Sequence, residues 1–338
     1  MIHLYSSYGV ALQSDTALPG LAAGEGQSSE LPLSIFMQEQ PSWVAEALCL
    51  PQRVVRSLPE EPETADPAFL LTDYGDEAFF QLAYSDGTRF ILDGAATKMW
   101  ACYADPYSLE YLTTYFVGPV MGFVLRRRKI TALHASAVAI NDRAIVLCGP
   151  AGAGKSTTAA ALALRGVPVL CEDVSALREL NGEFTVMPGY PRVCLWPSSV
   201  EMLFGKSDAL PRLVPTWEKC YLPLDDGTAH FERDGNTLSA IYLLMPRSCD
   251  ERCPRVGDIN AREAVLELVQ NTYMNAALTR KQRAAEFDLL TRLASQVQIR
   301  CVFPHENPAK LTELCDLILS DAADLDGRRT KPQVSAPI

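Results

Sequence analysis

One stretch of the chain, Ala144–Asp173, decides its fold; it reads AIVLCGPAGAGKSTTAAALALRGVPVLCED. Inside it, Gly149–Ser156 fits the pattern G-x-x-x-x-G-K-[ST] at every fixed position. An apolar run precedes this loop, and a run of small residues typical of a helix follows it and stops at Arg165-Gly166. A second apolar run, Val167–Cys171, then ends on two acids. Strand, glycine loop, helix, strand and carboxylates, in that order, are the context in which such a loop binds phosphate.

The glycine loop predicts a nucleotide site. Its glycines can adopt positive φ and turn successive backbone N–H groups toward one point, which forms an anion-binding nest. The nest opens onto a helix N-terminus, where unpaired donors and the helix dipole favour phosphate. Lys155 is expected to reach the β- and γ-phosphates of ATP, and Ser156 to offer its hydroxyl to Mg²⁺. The predicted nucleotide-binding residues are Gly149, Ala151, Gly152, Ala153, Gly154, Lys155, Ser156 and Thr157.

Composition limits the classes of function. The chain has 338 residues, 48% of them hydrophobic, which suits two domains or one large one. Its formal net charge is −11, whereas a nucleic-acid-binding surface is basic, so no nucleic-acid partner is expected. No apolar run approaches the roughly 20 residues of a membrane span, and the start lacks a signal-peptide pattern. We therefore expect a cytoplasmic protein without a membrane partner, in which the ten cysteines are free thiols.

Hydrophobic periodicity predicts two parts with different architectures. Residues 1–105 contain several short strand-like runs, among them Leu4–Leu12, and are expected to form a small antiparallel β-rich domain. Pro106–Arg128 has the apolar spacing of one helix, with Pro119 as a kink, and begins the predicted P-loop domain at 106–321.

The segments after this helix predict a mixed sheet. Thr131–Ile140 is expected to be the strand that leads into the core of the P-loop domain. Asn181-Gly182 predicts a hairpin directly after the paired acids, which a wholly parallel sheet would not contain. The fold class is therefore α/β with a mixed sheet. Residues 322–338 are expected to form a disordered tail.

Four segments together resemble the HPr kinase/phosphorylase group of P-loop kinases. They are LHASAV at 133–138, the glycine loop, RGVPVLCED at 165–173 and PGYPRVCLW at 188–196. The amino-terminal YGVALQSDTALPGL at 8–21 is instead similar to HPr-kinase-like proteins associated with ribosomally made peptides, including lasso-peptide tail kinases. An HPr-kinase-like P-loop core is the fold that this resemblance implies.

The resemblance also implies an activity and two roles. It implies an ATP- and Mg²⁺-dependent kinase that transfers phosphate to a serine hydroxyl of a peptide or small protein, such as a lasso-peptide precursor tail. Glu172 would be the base toward that hydroxyl, and Asp173 would hold Mg²⁺ together with Ser156. The first acid is Glu here where the family has Asp, and two adjacent carboxylates titrate as a pair, so an exchange of roles stays open.

Four further polar residues are candidates for the site. His134 matches the family's histidine before the loop and can hydrogen-bond an acid or a phosphate; a core histidine is the alternative. Arg192 can neutralise charge on the transferred phosphoryl group, because a guanidinium matches phosphate geometry; a surface arginine is the alternative. Lys219 and Arg212 lie in a polar loop at 205–220 that either contacts the substrate or is solvated.

Two other functions stay open at this point. One is a small-molecule kinase on the same fold, for which an enclosed cavity near Glu172 is expected. The other is a nucleotide-binding regulatory module without catalysis. The oligomeric state is not predicted.

Overall fold

The computed structural model describes residues 1–24, 31–58 and 68–329. It contains an eight-stranded sheet, a nine-stranded sheet and a two-stranded ribbon, with helices packed on the nine-stranded sheet. The predicted α/β class, with a mixed sheet and a β-rich amino-terminal part, is confirmed.

The first sheet is formed by the amino-terminal part of the chain, which also contains helix α1 (Ser42–Leu48). Its eight strands are β1 (His3–Ser7), β2 (Val10–Ser14), β3 (Leu33–Phe36), β4 (Gln52–Leu58), β5 (Phe69–Tyr74), β6 (Phe79–Tyr84), β7 (Arg89–Asp93) and β8 (Lys98–Cys102). They lie in the order β1-β2-β3-β8-β7-β6-β5-β4. The sequence predicts an antiparallel sheet here, and this prediction is wrong at one strand. Strand β3 is parallel to both β2 and β8. The long connection between β2 and β3 allows the crossover that parallel strands require.

The predicted strand Leu4–Leu12 is wrong, because the chain reverses in its middle. Tyr8 and Gly9 adopt φ of 56° and 72° and form a two-residue turn between β1 and β2. Positive φ at both central residues is the geometry that matches the twist of a hairpin.

The predicted single helix Pro106–Arg128 is three consecutive segments. These are α2 (Leu109–Tyr115), a π-helical segment (Phe116–Val120) and α3 (Met121–Arg127). Pro119 lies inside the π-helical segment, where its missing N–H interrupts the regular hydrogen-bond pattern.

The second sheet carries the glycine loop. Its strands are β9 (Thr131–Leu133), β10 (Ala135–Ile140), β11 (Arg143–Cys148), β12 (Val169–Cys171), β13 (Ser175–Leu180), β14 (Glu183–Met187), β17 (Asn236–Leu244), β18 (Arg255–Asp258) and β19 (Gln298–Phe303). The predicted strand Thr131–Ile140 is split at His134, because β9 pairs with β13 whereas β10 pairs with β11 and β12. The hairpin predicted at Asn181-Gly182 is confirmed, with both residues at positive φ.

The remaining elements surround this sheet. Strands β15 (Arg192–Leu195) and β16 (Cys220–Pro223) form the antiparallel ribbon. The helices are α4 (Lys155–Ala163), α5 (Pro197–Phe204), α6 (Ala261–Gln270), α7 (Arg280–Gln296) and α8 (Leu311–Arg329). Among the described residues no helix is both long and apolar enough to cross a membrane.

The predicted tail begins too early. Helix α8 continues through residue 322 to Arg329, and the rest of that prediction, 330–338, lies outside the described residues. The extra turns are helical because Ala322 and Leu325 are buried in the apolar cluster beneath α4 and α8. Asp321, at the same level, accepts hydrogen bonds from Tyr242 and Arg300.

A single buried apolar cluster spans the two large sheets. It includes Leu12 and Phe90 from the first sheet, Val146 and Ile241 from the second, and Phe123 from the helix between them. A domain boundary at residues 105 and 106 therefore stays a prediction.

Candidate functional site

The glycine loop has the backbone conformation that the sequence predicts. Gly149, Gly152 and Gly154 adopt φ of 150°, 80° and 104°, a region that side chains disfavour. A Cβ on Gly149 would lie 2.8 Å from the carbonyl oxygen of Leu244, so only glycine allows the loop to pass this close to the end of β17. The loop ends at the N-terminus of α4, where free backbone N–H groups are available to an anion.

Lys155, the first residue of α4, turns its ammonium back into the loop. The Nζ atom donates hydrogen bonds to the carbonyl oxygens of Gly149, at 2.7 Å, and Pro150, at 3.1 Å. The side chain is 6% exposed, and burial lowers its pKa while the charges of Asp173 and Glu172 oppose that shift. Among the described residues the hydrogen-bond partners of this ammonium are neutral oxygens, so an anionic ligand would be the first counter-charge bonded to it.

Glu172 follows the short strand β12 and contacts the start of α4. Its Oε1 accepts a hydrogen bond from the Ser156 hydroxyl at 2.7 Å, and its Oε2 is buried with no hydrogen-bond partner among the described residues. Burial and the neighbouring charge of Asp173 raise the pKa of Glu172 to about 6, although Lys219, the Ser156 hydroxyl and the backbone N–H of Cys194 oppose the shift. An orphaned carboxylate oxygen beside a serine hydroxyl is a natural ligand for a cation.

Asp173 contacts Tyr273 and His134, whereas Glu172 contacts Ser156. It adopts a φ of 65°, and its Oδ2 accepts a hydrogen bond from the Tyr273 hydroxyl at 3.2 Å. The Nε2 of His134 lies 3.8 Å from its Oδ1, and the imidazole stacks on the Tyr273 ring with 5.9 Å between centroids. Burial lowers the pKa of His134, and the charge of Asp173 opposes that shift. The structure thus brings His134 and Asp173 together.

A cavity of about 210 Å³ contains both acids and two cations. We call it the acceptor cavity; the charged residues that line it are Glu172, Asp173, Arg192 and Lys219. Its aromatic wall consists of Tyr84, Tyr115, Tyr190 and Trp217. Lys219 is not merely solvated, because its ammonium lies 5.3 Å from the centre of the Trp196 ring and within electrostatic range of Glu172.

Arg192 lies where the acceptor cavity meets a larger groove. Its guanidinium carbon is 5.1 Å from the centre of the Tyr190 ring and 5.9 Å from that of Tyr221. Its Nε is buried without a hydrogen-bond partner among the described residues. Aromatic faces thus hold the arginine in place while leaving donors unused.

The groove has a volume of about 640 Å³ and shares Arg192 and Leu213 with the acceptor cavity. Its other lining residues are Pro19, Gly20, Leu21, Ala22, Ser108, Glu110, Pro191, Arg212, Val214, Pro215, Tyr221, Pro223 and Asp225. Arg212 therefore lies in the groove and not beside Glu172, so the two basic residues predicted together occupy different sites.

Sequence reasoning missed the residues that hold Asp173 in position. Tyr273 is distant in the chain, and no local pattern indicates its contact. A Cβ on Gly122 would overlap Cε1 of Tyr273, and a Cβ on Gly118 would lie 3.5 Å from Oδ2 of Asp173. The available signal was two glycines four residues apart in an apolar helical run, which indicates a close approach on one face.

Mg²⁺ suits the donors of this site. Among the described residues no three His, Cys, Asp or Glu side chains form a preassembled metal cluster. Mg²⁺ does not need one, because it keeps several waters and binds through one or two carboxylates together with substrate phosphates. The Ser156 hydroxyl fits that requirement together with one of the two neighbouring carboxylates, either that of Glu172, which has an unpartnered oxygen, or that of Asp173.

Comparisons with known proteins give matches among solved structures. No protein-family model matches the chain, and no curated protein matches it significantly. A solved structure of the Hpr(Ser) kinase/phosphatase from Coxiella burnetii aligns with 16% identity and a TM-score of 0.31. The alignment covers 59% of this chain and 94% of that one. At this identity and TM-score the likeness is no guide to activity.

Proposed function

We propose that this protein is an ATP- and Mg²⁺-dependent kinase that phosphorylates a serine hydroxyl of a peptide or small protein. The observation that carries the proposal is the acceptor cavity, in which Glu172 and Asp173 face Arg192 and Lys219 directly beside the glycine loop. Phosphoryl transfer is promoted mainly by positioning and electrostatic stabilisation, and this constellation supplies both.

The phosphate end of the site is formed by the loop amides and Lys155. Mg²⁺, when bound, supplies charge neutralisation at the β- and γ-phosphates. Ser156 and Glu172 would hold it, because they already contact each other and Glu172 has an oxygen without a partner. This exchanges the roles that the family resemblance implies, in which Asp173 and not Glu172 joins Ser156.

The acceptor end of the site is formed by Asp173 and its neighbours. Asp173 takes the proton from the serine hydroxyl, and Tyr273 and His134 fix the orientation of its carboxylate. Arg192 and Lys219 neutralise negative charge that develops on the transferred phosphoryl group.

The groove favours a peptide as the substrate. It is three times the volume of the acceptor cavity and adjoins it at Arg192, so a chain on either side of the acceptor serine has a surface to lie on. Its lining combines apolar residues with charges of both signs, namely Arg212, Glu110 and Asp225. A lasso-peptide precursor tail is the specific substrate that we propose.

The test is mass spectrometry of peptides incubated with the protein, ATP and Mg²⁺. A serine-containing precursor tail is expected to gain the mass of one phosphate, and the same peptide with alanine at that serine is not. Phosphorylation of a small alcohol, with every peptide unmodified, would favour a small-molecule kinase. The modest size of the acceptor cavity is the observation that supports this alternative. Nucleotide binding without any phosphorylated product would leave a regulatory module.

The two carboxylates are distinguished by a matched pair of isosteric variants. Asp173→Asn removes the base, so kcat is expected to fall at least about 10²-fold while the Mg²⁺ dependence stays unchanged. Glu172→Gln weakens the cation site, so a higher Mg²⁺ concentration is needed for half-maximal rate. The reverse pattern in a Mg²⁺ titration would restore the assignment that the resemblance implies.

A further inference from the structure

The topology of the second sheet indicates where the rest of a nucleotide lies. Strand β11 is parallel to β17, and β17 is parallel to β19, so their carboxyl ends meet at one edge of the sheet. The register pairs Cys148 with Leu243 and Leu243 with Cys301, so the three ends are level. Ligands of open α/β sheets bind outside the carboxyl ends of the strands. With phosphates at the loop after β11, the loops after β17 and β19 are the next surfaces along this edge.

These two loops form one hydrogen-bonded unit. Ser248 donates its N–H to the carbonyl oxygen of Pro304 at 3.0 Å, and Glu306 donates its N–H to the carbonyl oxygen of Ser248 at 3.0 Å. Arg247, in the first of them, places its Nη2 3.4 Å from the position of a Cβ on Gly154. The unit therefore lies directly against the glycine loop.

A cavity of about 40 Å³ lies between this unit and α4. Residues from all three strand ends line it: Ala153, Gly154 and Thr157 from the glycine loop and α4, Arg247 after β17, and 304–308 after β19. Met202 of α5 contributes an apolar side. A cavity of this size takes the edge of a flat ring and not the whole ring.

His305 lines this cavity and has an unused ring donor. Its Nδ1 accepts the backbone N–H of Asn307 at 2.8 Å, so in the neutral imidazole the proton is on Nε2. That Nε2 is buried and has no hydrogen-bond partner among the described residues. A buried donor without a partner needs an explanation, and a ligand with an acceptor on its edge provides one.

We propose that this cavity is the nucleobase subsite of the protein and that the His305 Nε2–H donates to an acceptor on the edge of the base. This subsite rests on the proposed nucleotide-dependent function. Its residues would distinguish a nucleoside triphosphate from a phosphate chain without a base.

Two isosteric variants of His305 separate its ring nitrogens. His305→Asn retains an acceptor near the position of Nδ1 for the Asn307 N–H and removes the outer donor. His305→Gln places an amide near Nε2 and removes the inner acceptor. His230→Ala, at an exposed histidine elsewhere, is the matched control. Affinities are measured by calorimetry on the full chain with Mg²⁺, using ATP and tripolyphosphate, which has no base.

The expected result is a loss confined to ATP. His305→Asn binds ATP about tenfold more weakly, the size expected for one hydrogen bond, and binds tripolyphosphate as the wild type does. His305→Gln and His230→Ala retain the affinity for ATP. Unchanged ATP affinity in His305→Asn, or an equal loss for both ligands, overturns the subsite. A wild type that binds ATP no better than tripolyphosphate overturns the subsite alone, and one that binds neither overturns the nucleotide function with it.

Discussion

At the scale of single residues, the site contains three polar groups that the fold buries without completing their hydrogen bonds, and further such groups lie elsewhere among the described residues. Oε2 of Glu172, Nε of Arg192 and Nε2 of His305 are all buried and unpartnered among the described residues. Each such group costs free energy in the folded chain, commonly about 1–3 kcal/mol. They lie around one glycine loop, which is where a nucleotide and its acceptor would complete them.

Lys155 gives the sharpest residue-scale prediction. Lys155→Met retains the length and apolar stem of the side chain but removes the ammonium, so phosphate-chain affinity is lost and kcat/KM falls at least about 10²-fold. The melting temperature stays the same or rises, because a buried cation bound only to carbonyl oxygens is removed. Lys206→Met, at an exposed lysine, is the control for both measurements. Full activity in Lys155→Met would contradict the proposed function.

At the scale of elements, the π-helical segment and α3 pack against Asp173 and its hydrogen-bond partner Tyr273. Pro119 prevents a regular α-helix here, and the resulting segment brings Gly118 close to Asp173. Single-turn π segments are frequent at functional sites, since they re-aim one face of a helix. Gly122, on α3, leaves the space that the Tyr273 ring occupies.

Gly122→Ala tests this packing. The new methyl group would overlap the Tyr273 ring, so the free energy of unfolding falls by about 1–3 kcal/mol and kcat falls more than in Tyr273→Phe, which loses only the hydroxyl. Urea unfolding and steady-state kinetics measure the two effects. In a Tyr273→Ala background the same glycine substitution should cost little stability. An equal cost in both backgrounds would mean that the overlap is not the cause.

At the scale of the whole molecule, the two large sheets are joined by shared core and by the amino-terminal turn. The backbone N–H of Tyr8 donates to the carbonyl oxygen of Pro188 at 2.7 Å, and its hydroxyl donates to that of Val117 at 3.0 Å. The first hairpin therefore contacts both the π-helical segment and the loop before Arg192. These two hydrogen bonds fix the start of the YGVALQ segment against the rest of the fold. The sequence alone showed only a resemblance of this segment to other proteins.

A buried ion pair connects α3 with α7 and gives a prediction at this scale. Arg126 forms an ion pair with Glu286, and the two side chains are 5% and 8% exposed. Arg126→Met leaves the carboxylate buried and unpaired, so the free energy of unfolding falls by about 3–5 kcal/mol. The double variant Arg126→Met, Glu286→Leu should recover most of that loss, because no unpaired charge remains. Urea unfolding of the single and double variants measures these free energies. A loss in the double variant equal to the sum of the two single losses would contradict the pairing.

Local patterns in the sequence determined the glycine loop, the helix after it, the paired acids and the Asn181-Gly182 hairpin. These features depend on neighbours in the chain, because positive φ, capping and hydrophobic periodicity act over a few residues. The same patterns failed where a turn, a kink or a helix end depends on distant partners. Leu4–Leu12 is a hairpin whose turn packs on other elements, and α8 continues because residues near 322 are buried beneath α4.

Only the tertiary structure decided which candidates meet. Ser156 contacts Glu172 and not Asp173, Lys219 enters the acceptor cavity while Arg212 lies outside it, and Tyr273 joins from 100 residues away. Chain separation hides such contacts, because they form when strands from distant parts of the sequence align their ends at one edge of a sheet. The sequence by itself thus determined the glycine loop and the paired acids at this edge. The packing of the sheets determined which other side chains are present there.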